Sequence, residues 1–247
     1  LLIMVLLPNE DYLKKYKEEK VLLIDARSEG EFERGHIPGA INIPLLNNEH
    51  RVIIGTLYKQ KGRQEAVLKE LELVGPLFHS IALKVKELSA SNKVMVYCWR
   101  GGMRSSIFCW VIGMAGFQAS VLKEGYKQYR NWCIDRFKER RELLILGGKT
   151  GSGKTEILEA IRQKGEKVIC LESMAHHKGS AFGALGQLPQ PTQEHFENLL
   201  GWELSDKPAN EILWLENESR NIGCIKIPDP FFEQMRNAHV LEMEVDR

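Results

Sequence analysis

The chain has 247 residues, 43% of them hydrophobic, with 34 Lys and Arg against 33 Asp and Glu. This is length for two modest domains with real cores, which excludes a disordered chain, and the balanced charge excludes a globally basic nucleic-acid binder, leaving only a local basic surface. Cys98, Cys109, Cys133, Cys170 and Cys224 are odd in number and form no C-x-x-C pair, which excludes a disulfide framework and a zinc site.

The apolar opening, residues 1–7, runs into Pro8-Asn9-Glu10-Asp11. It is too short and too abruptly acidic for a signal peptide or membrane span, so the reading is a cytoplasmic protein without a membrane partner. Residues 21–24, 93–97 and 143–146 are short β-type runs, each closed by a turn and followed by a helical pattern. They predict an α/β fold of parallel strands with crossovers, whose ligands lie beyond the carboxyl ends of the strands. Residues 125–142 are charged and helix-compatible, with Lys127, Arg130, Arg136, Lys138, Arg140 and Arg141. The organisation read from this is a first domain over 1–134, a basic connector over 135–142 and a second domain over 143–247.

The strand at 93–97 ends in Cys98-Trp99-Arg100-Gly101-Gly102-Met103-Arg104-Ser105, ahead of an apolar helix over 107–114. Turn N–H groups, the helix N-terminus, Arg100 and Arg104 would favour a thiolate at Cys98, drawing it down from about 8.5 toward neutrality. The glycines let the backbone curl round an anion. Cys98, Arg100 and Arg104 are therefore the candidate catalytic residues. A simply buried strand-end cysteine is the bland alternative, and the other four cysteines take that reading.

The strand at 143–146 leads into residues 148–155, Gly-Lys-Thr-Gly-Ser-Gly-Lys-Thr, a full match to the phosphate-cradling pattern G-x-x-x-x-G-K-[ST]. Gly148, Gly151, Ser152 and Gly153 would present N–H groups, Lys154 a point charge, and Thr155 a ligand for Mg²⁺ or a phosphate oxygen at the start of a helix over 155–164. A further strand is predicted at 168–171, ending at Glu172. Another, over 212–215, precedes Glu216 and Glu218, an acidic strand end suited to holding a metal or a water. His176 and His177 precede a Lys-Gly-Ser turn, where phosphate or RNA contact competes with an inert surface role.

Residues 25–44, from Asp25-Ala26-Arg27-Ser28 through Gly35-His36-Ile37-Pro38-Gly39-Ala40 to Pro44, resemble the N-terminal signature of rhodanese-type sulfurtransferase domains. Leu122-Lys123-Glu124-Gly125-Tyr126 resembles their closing motif. The resemblance implies a rhodanese-like parallel-sheet domain whose loop cysteine, here Cys98, accepts a chalcogen atom from an anionic donor. Cys98 and Arg104 also satisfy the C-x-x-x-x-x-R pattern of cysteine phosphatases, although Tyr97 stands where those usually carry His. A sulfurtransferase or phosphatase with a regulatory nucleotide-binding loop is thus the alternative.

The fusion with a P-loop domain resembles the tRNA 2-selenouridine synthase family. Pro44 to Glu49, Gly55 to Gly62, the Cys-Trp-Arg-Gly-Gly-Met-Arg-Ser loop, His177 to Gly183, Gln190 to Gln193, Phe196 to Asn198 and Glu216 to Gly223 carry the match. The resemblance implies conversion of wobble 2-thiouridine in tRNA to 2-selenouridine through an S-geranyl intermediate. Selenophosphate, from its supply enzyme, and geranyl diphosphate would be co-substrates, with no tightly bound cofactor. It also implies tRNA contact, for which Lys127, Arg130, Arg140 and His177 are the candidates. Glu70 and Ser173 stand where family members carry glycine, and the chain stops at Arg247, about where they continue, so a C-terminally truncated P-loop domain is expected.

Overall fold

The computed structural model describes residues 4–19, 21–149, 152–180 and 182–244. They divide into two compact units, residues 1–130 and 131–247.

The first unit runs β1 (Met4–Leu7), α1 (Asn9–Glu19), β2 (Leu22–Asp25), α2 (Glu29–Arg34), β3 (Ile41–Asn42), α3 (Asn48–Lys61), α4 (Arg63–Val74), a 3₁₀ turn (Gly75–Leu77), α5 (Phe78–Leu88), β4 (Lys93–Tyr97), α6 (Met103–Met114) and β5 (Gln118–Leu122), then enters α7 (Gly125–Arg136). Its strands form one parallel sheet in the order β1-β5-β4-β2-β3. The central strands are apolar on both faces because helices cover both. Val94 to Tyr97 are all buried, and Ile24, Val96, Phe108, Ile112 and Val121 belong to one core cluster. Within the apolar opening, Met4–Leu7 forms the edge strand β1, with Met4, Val5 and Leu6 exposed.

Where β2 ends, Arg27 folds back onto Asp25. Its Nη2 lies 2.6 Å from Oδ2 and its Nε 3.0 Å from Oδ1, with both side chains at 0% exposure. Nη2 also donates to the Gly35 carbonyl at 2.7 Å, and Asn42 Nδ2 donates to the carbonyls of Asp25 and Arg27 at 3.0 and 2.9 Å. The guanidinium lies 3.6 Å from the ring centroid of Tyr126. Burial opposes its charge, yet Asp25 beside it holds its pKa above the ordinary arginine value.

The second unit contains β6 (Leu143–Gly147), α8 (Lys154–Gln163), β7 (Lys167–Ile169), α9 (Leu171–Ala175), α10 (Gln193–Ser205), β8 (Leu213–Glu216), β9 (Asn221–Ile222), β10 (Ile225–Lys226), α11 (Asp229–Arg236) and β11 (His239–Glu242). Four strands form a parallel sheet ordered β11-β6-β8-β7, and β9 pairs antiparallel with β10. Among the described residues no helix is long and apolar enough to cross a membrane.

Two sequence expectations change. The helix expected over 125–142 ends at Arg136. Beyond it Phe137 is buried, and Arg141, its side chain 3% exposed, donates to the carbonyls of Lys207 and Leu204 at 2.7 and 3.1 Å. The strand expected over 168–171 stops at Ile169, and Leu171 opens α9 instead. A carboxylate oxygen of Glu216 accepts the Glu172 N–H at 2.7 Å, supplying one of the partners that a helix start lacks.

Arg27→Met leaves Asp25 buried without its partner and is expected to cost about 3–5 kcal/mol of stability. Urea unfolding of the variant measures the loss, and adding Asp25→Leu should recover part of it.

Candidate functional site

Each unit carries a loop at the carboxyl end of a central strand. In the first, Cys98 follows β4 and is 2% exposed, with Sγ 2.8 Å from Ser105 Oγ in the first turn of α6. The loop closes on the start of α7, where the N–H groups of Tyr126 and Lys127 donate to the carbonyls of Cys98 and Trp99 at 2.8 and 3.0 Å. Two glycines permit that approach. Gly101 has φ +63° and Gly125 φ +66°, and a Cβ at Gly125 would strike the Cys98 carbonyl and the N–H groups of Arg100 and Gly101.

The two arginines of the loop take different positions. Arg100 is exposed, whereas Arg104 Nη1 pairs with Glu31 Oε2 at 2.9 Å. Glu31 also accepts the Ser28 N–H at 3.3 Å, closing the capping box of α2. Burial pushes the Glu31 carboxyl up, but Arg104 outweighs it and holds the group below its ordinary value. Glu70, on α4, is 3% exposed with Oε1 unpartnered, and burial raises its pKa against the lowering charge of Arg104. Arg104 thus sits among carboxylates. Sequence reasoning missed Glu31 as part of this site, although Ser28-x-x-Glu31 is a capping-box signature that fixes where the carboxylate stands. Burial pushes the neighbouring Cys109 thiol up to about 12.

In the second unit β6 leads into the phosphate loop. Thr150 and Gly151 lie outside the described residues. Gly148 and Gly153 have φ +146° and +86°, and the Ser152 N–H donates to the Lys149 carbonyl at 3.1 Å. Lys154 opens α8, and its Nζ donates to the carbonyls of Gly148 and Lys149 at 2.9 and 3.3 Å. Thr155 is exposed in the same turn, and Ser152 Oγ is buried without a partner.

A cleft of about 1130 Å³ opens on this loop. Gly148, Gly153, Lys154 and Thr155 line it together with Glu172, Glu216, Glu218 and the apolar Leu158, Val168, Ile169 and Met174. Glu216 is 3% exposed; its Oε1 takes the Glu172 N–H and its Oε2 has no partner. Burial pushes its carboxyl up to about 7. Burial, then the adjacent Glu172, drive Glu218 well above the carboxylate range. The side chains of Glu172 and Glu218 converge over Gly179, φ +56°, where a Cβ would lie 2.7 Å from an oxygen of each. The sequence marked Glu216 and Glu218 but not Glu172 as a site residue; only the turn from β7 into α9 brings it in. Among the described residues no group of three or more His, Cys, Asp or Glu is placed to hold a metal ion.

Of the residues named for tRNA contact, Lys127 and Arg140 are exposed, and Arg130 is half-buried and engaged in contacts. His177 is 8% exposed, its ring packed against Gly183.

Residues 9–131 match the rhodanese-like domain, and residues 141–247 match the tRNA 2-selenouridine synthase AAA domain. The tRNA 2-selenouridine synthase of Nitrosomonas eutropha is 39% identical over 227 residues, covering 89% of this chain and 58% of that protein. That of Bdellovibrio bacteriovorus is 40% identical over 240 residues, covering 94% and 62%, and that of Hydrogenovibrio crunogenus 35% identical over 251 residues, covering 97% and 68%. The chain belongs to the tRNA 2-selenouridine synthase family. It spans about three-fifths of the length of the first two relatives. In this family member the rhodanese-like match carries the cysteine loop and the AAA match carries the phosphate loop and its carboxylates.

Two outcomes test these sites. Gly125→Ala places a side chain at positive φ against the cysteine loop and is expected to cost at least about 1–3 kcal/mol, read by urea unfolding. Glu216 keeps its proton in the native protein up to about pH 7, while the unfolded chain releases it near pH 4.5. Its contribution to stability is therefore full below about pH 4.5 and lost as pH rises to about 7, on the order of 3 kcal/mol in all. The stability difference between wild type and Glu216→Gln should change over that window and level off above it, measured by unfolding across a pH series.

Proposed function

We propose that the chain converts wobble 2-thiouridine in tRNA to 2-selenouridine in two stages, geranylation of the sulfur and its replacement by selenium. The observation that carries this reading is the cleft of the second unit. It joins a phosphate loop and Lys154 to the apolar side chains of Leu158, Val168, Ile169 and Met174, a lining suited to a diphosphate head on a hydrocarbon tail. Geranyl diphosphate is such a ligand. The loop amides at Gly148 and Ser152 to Lys154 would hold the diphosphate, with Lys154 stabilising the charge of the leaving group.

Thr155 offers an exposed hydroxyl in the first turn of α8, a hard oxygen donor of the kind Mg²⁺ takes beside phosphates. Thr155 would hold the ion there, and the ion would neutralise diphosphate charge.

The second stage belongs to Cys98. Geranylation turns the sulfur into a better leaving group, and selenium delivered from selenophosphate displaces it. Cys98 would carry or activate that selenium, while the exposed Arg100 and the amides of the loop bind the anionic donor. Arg104 would join them by exchanging its Glu31 partner for the donor. A selenophosphate-producing enzyme is then the upstream partner. Lys127, Arg130 and Arg140 are the residues proposed to meet the tRNA backbone, each contact adding salt-dependent affinity.

The experiment is mass spectrometry of nucleosides after incubating the chain with 2-thiouridine tRNA, geranyl diphosphate and selenophosphate. Lys154→Ala is expected to lower geranylation by about 10²-fold or more, the size of effect seen on removing one group that stabilises developing charge. Cys98→Ser should geranylate normally and accumulate the S-geranyl nucleoside without selenation. The opposite pattern reverses the assignment of the two loops.

A further inference from the structure

Alkylating the sulfur of a 2-thiopyrimidine with an allylic diphosphate has a proton to dispose of. A sulfur lone pair forms the new S–C bond, and the C–O bond breaks with its electrons leaving on the diphosphate. As C2=S becomes C2–S, the electrons of the ring N3–H bond become the N3=C2 double bond. One proton must leave N3, and neither the phosphate loop nor Lys154, a cation, is suited to take it. This inference rests on the function proposed above.

The phosphate-loop cleft holds an unassigned set of carboxylates. Glu218 and Glu172 converge over Gly179, and both line the cleft with Lys154. Independently, Glu216 lines the same cleft at 3% exposure with Oε2 unpartnered. A buried polar oxygen without a partner is costly, and this one marks the carboxylate end of the cleft as incomplete until a polar ligand enters.

We propose that Glu218, paired with Glu172, is the base that takes the N3 proton during S-alkylation, and that Glu216 is a positioning residue holding Glu172 through its backbone N–H. The proton passes to the Glu218 carboxylate as diphosphate departs, and charge balances with no redox partner. The charged groups acting on Glu218 are Glu172 from α9, Glu216 from the end of β8 and Lys154 from the first turn of α8.

The test is single-turnover geranyl transfer to 2-thiouridine tRNA by the full chain, followed across a pH series. Near neutrality Glu218→Gln is expected to slow transfer by about 10²- to 10⁴-fold. It should also abolish the rise of rate with pH seen in the wild type, and recover toward the wild-type rate at alkaline pH, where N3–H ionises to solvent unaided. Glu218→Asp should keep part of the rate, and both variants should bind inorganic pyrophosphate as the wild type does. Wild-type rate and pH profile in Glu218→Gln overturn the base while leaving the proposed function standing. Loss of pyrophosphate binding in step with transfer also overturns it, assigning Glu218 to the architecture of the loop. A wild-type chain that transfers no geranyl group overturns the proposed function and this inference together.

Discussion

The first unit is organised around the buried ion pair of Asp25 and Arg27. One guanidinium joins the end of β2 to the Gly35 carbonyl and to the face of Tyr126, which follows Gly125 at the start of α7. The same residues that pack this pair therefore fix the segment on which the cysteine loop closes. Charges taken out of water are tolerated only when their partners are complete, so the pair, the turn over 35–42 and the loop of Cys98 form one cooperative arrangement. The identities of Asp25 and Arg27 matter to the site although the thiol's own hydrogen bond goes to Ser105.

Both loops use the same physical device with different chemistry. A parallel strand ends, glycines at positive φ bring backbone close, and a helix begins with its N–H groups toward the space so formed. In the first unit the space is edged by a thiol bonded to Ser105 and by an arginine already neutralised by Glu31. In the second it is edged by a lysine and three carboxylates. Under the proposed function the contrast separates their work: a soft nucleophile in one, charge and proton handling in the other.

Much of this was legible in the residues. β4 was recognisable end to end because a strand covered on both faces must be continuously apolar, and the two loops announce themselves through local glycine and charge spacing. The role of Glu31 was not legible, because its partner Arg104 is far away in sequence and only the fold joins them. Glu172 escaped for a similar reason: its N–H is capped by Glu216, and that long-range bond accompanies a helix where the apolar run suggested continued strand. Arg141 looked like one more solvated cation, yet carbonyls of Leu204 and Lys207 claim it. Side chains whose function is decided by remote partners leave little local signal.

The bonds from Lys154 to the carbonyls of Gly148 and Lys149 carry a consequence for ligand choice. An ammonium has three donors and the loop takes two of them, so an incoming anion gains one at no cost and must displace a carbonyl dipole for each further one. A monoanion offers little surplus over that internal solvation, whereas a diphosphate, with several charges spread across two phosphorus centres, offers a great deal. Under the proposed function this tilts the loop toward a diphosphate and away from singly charged ligands.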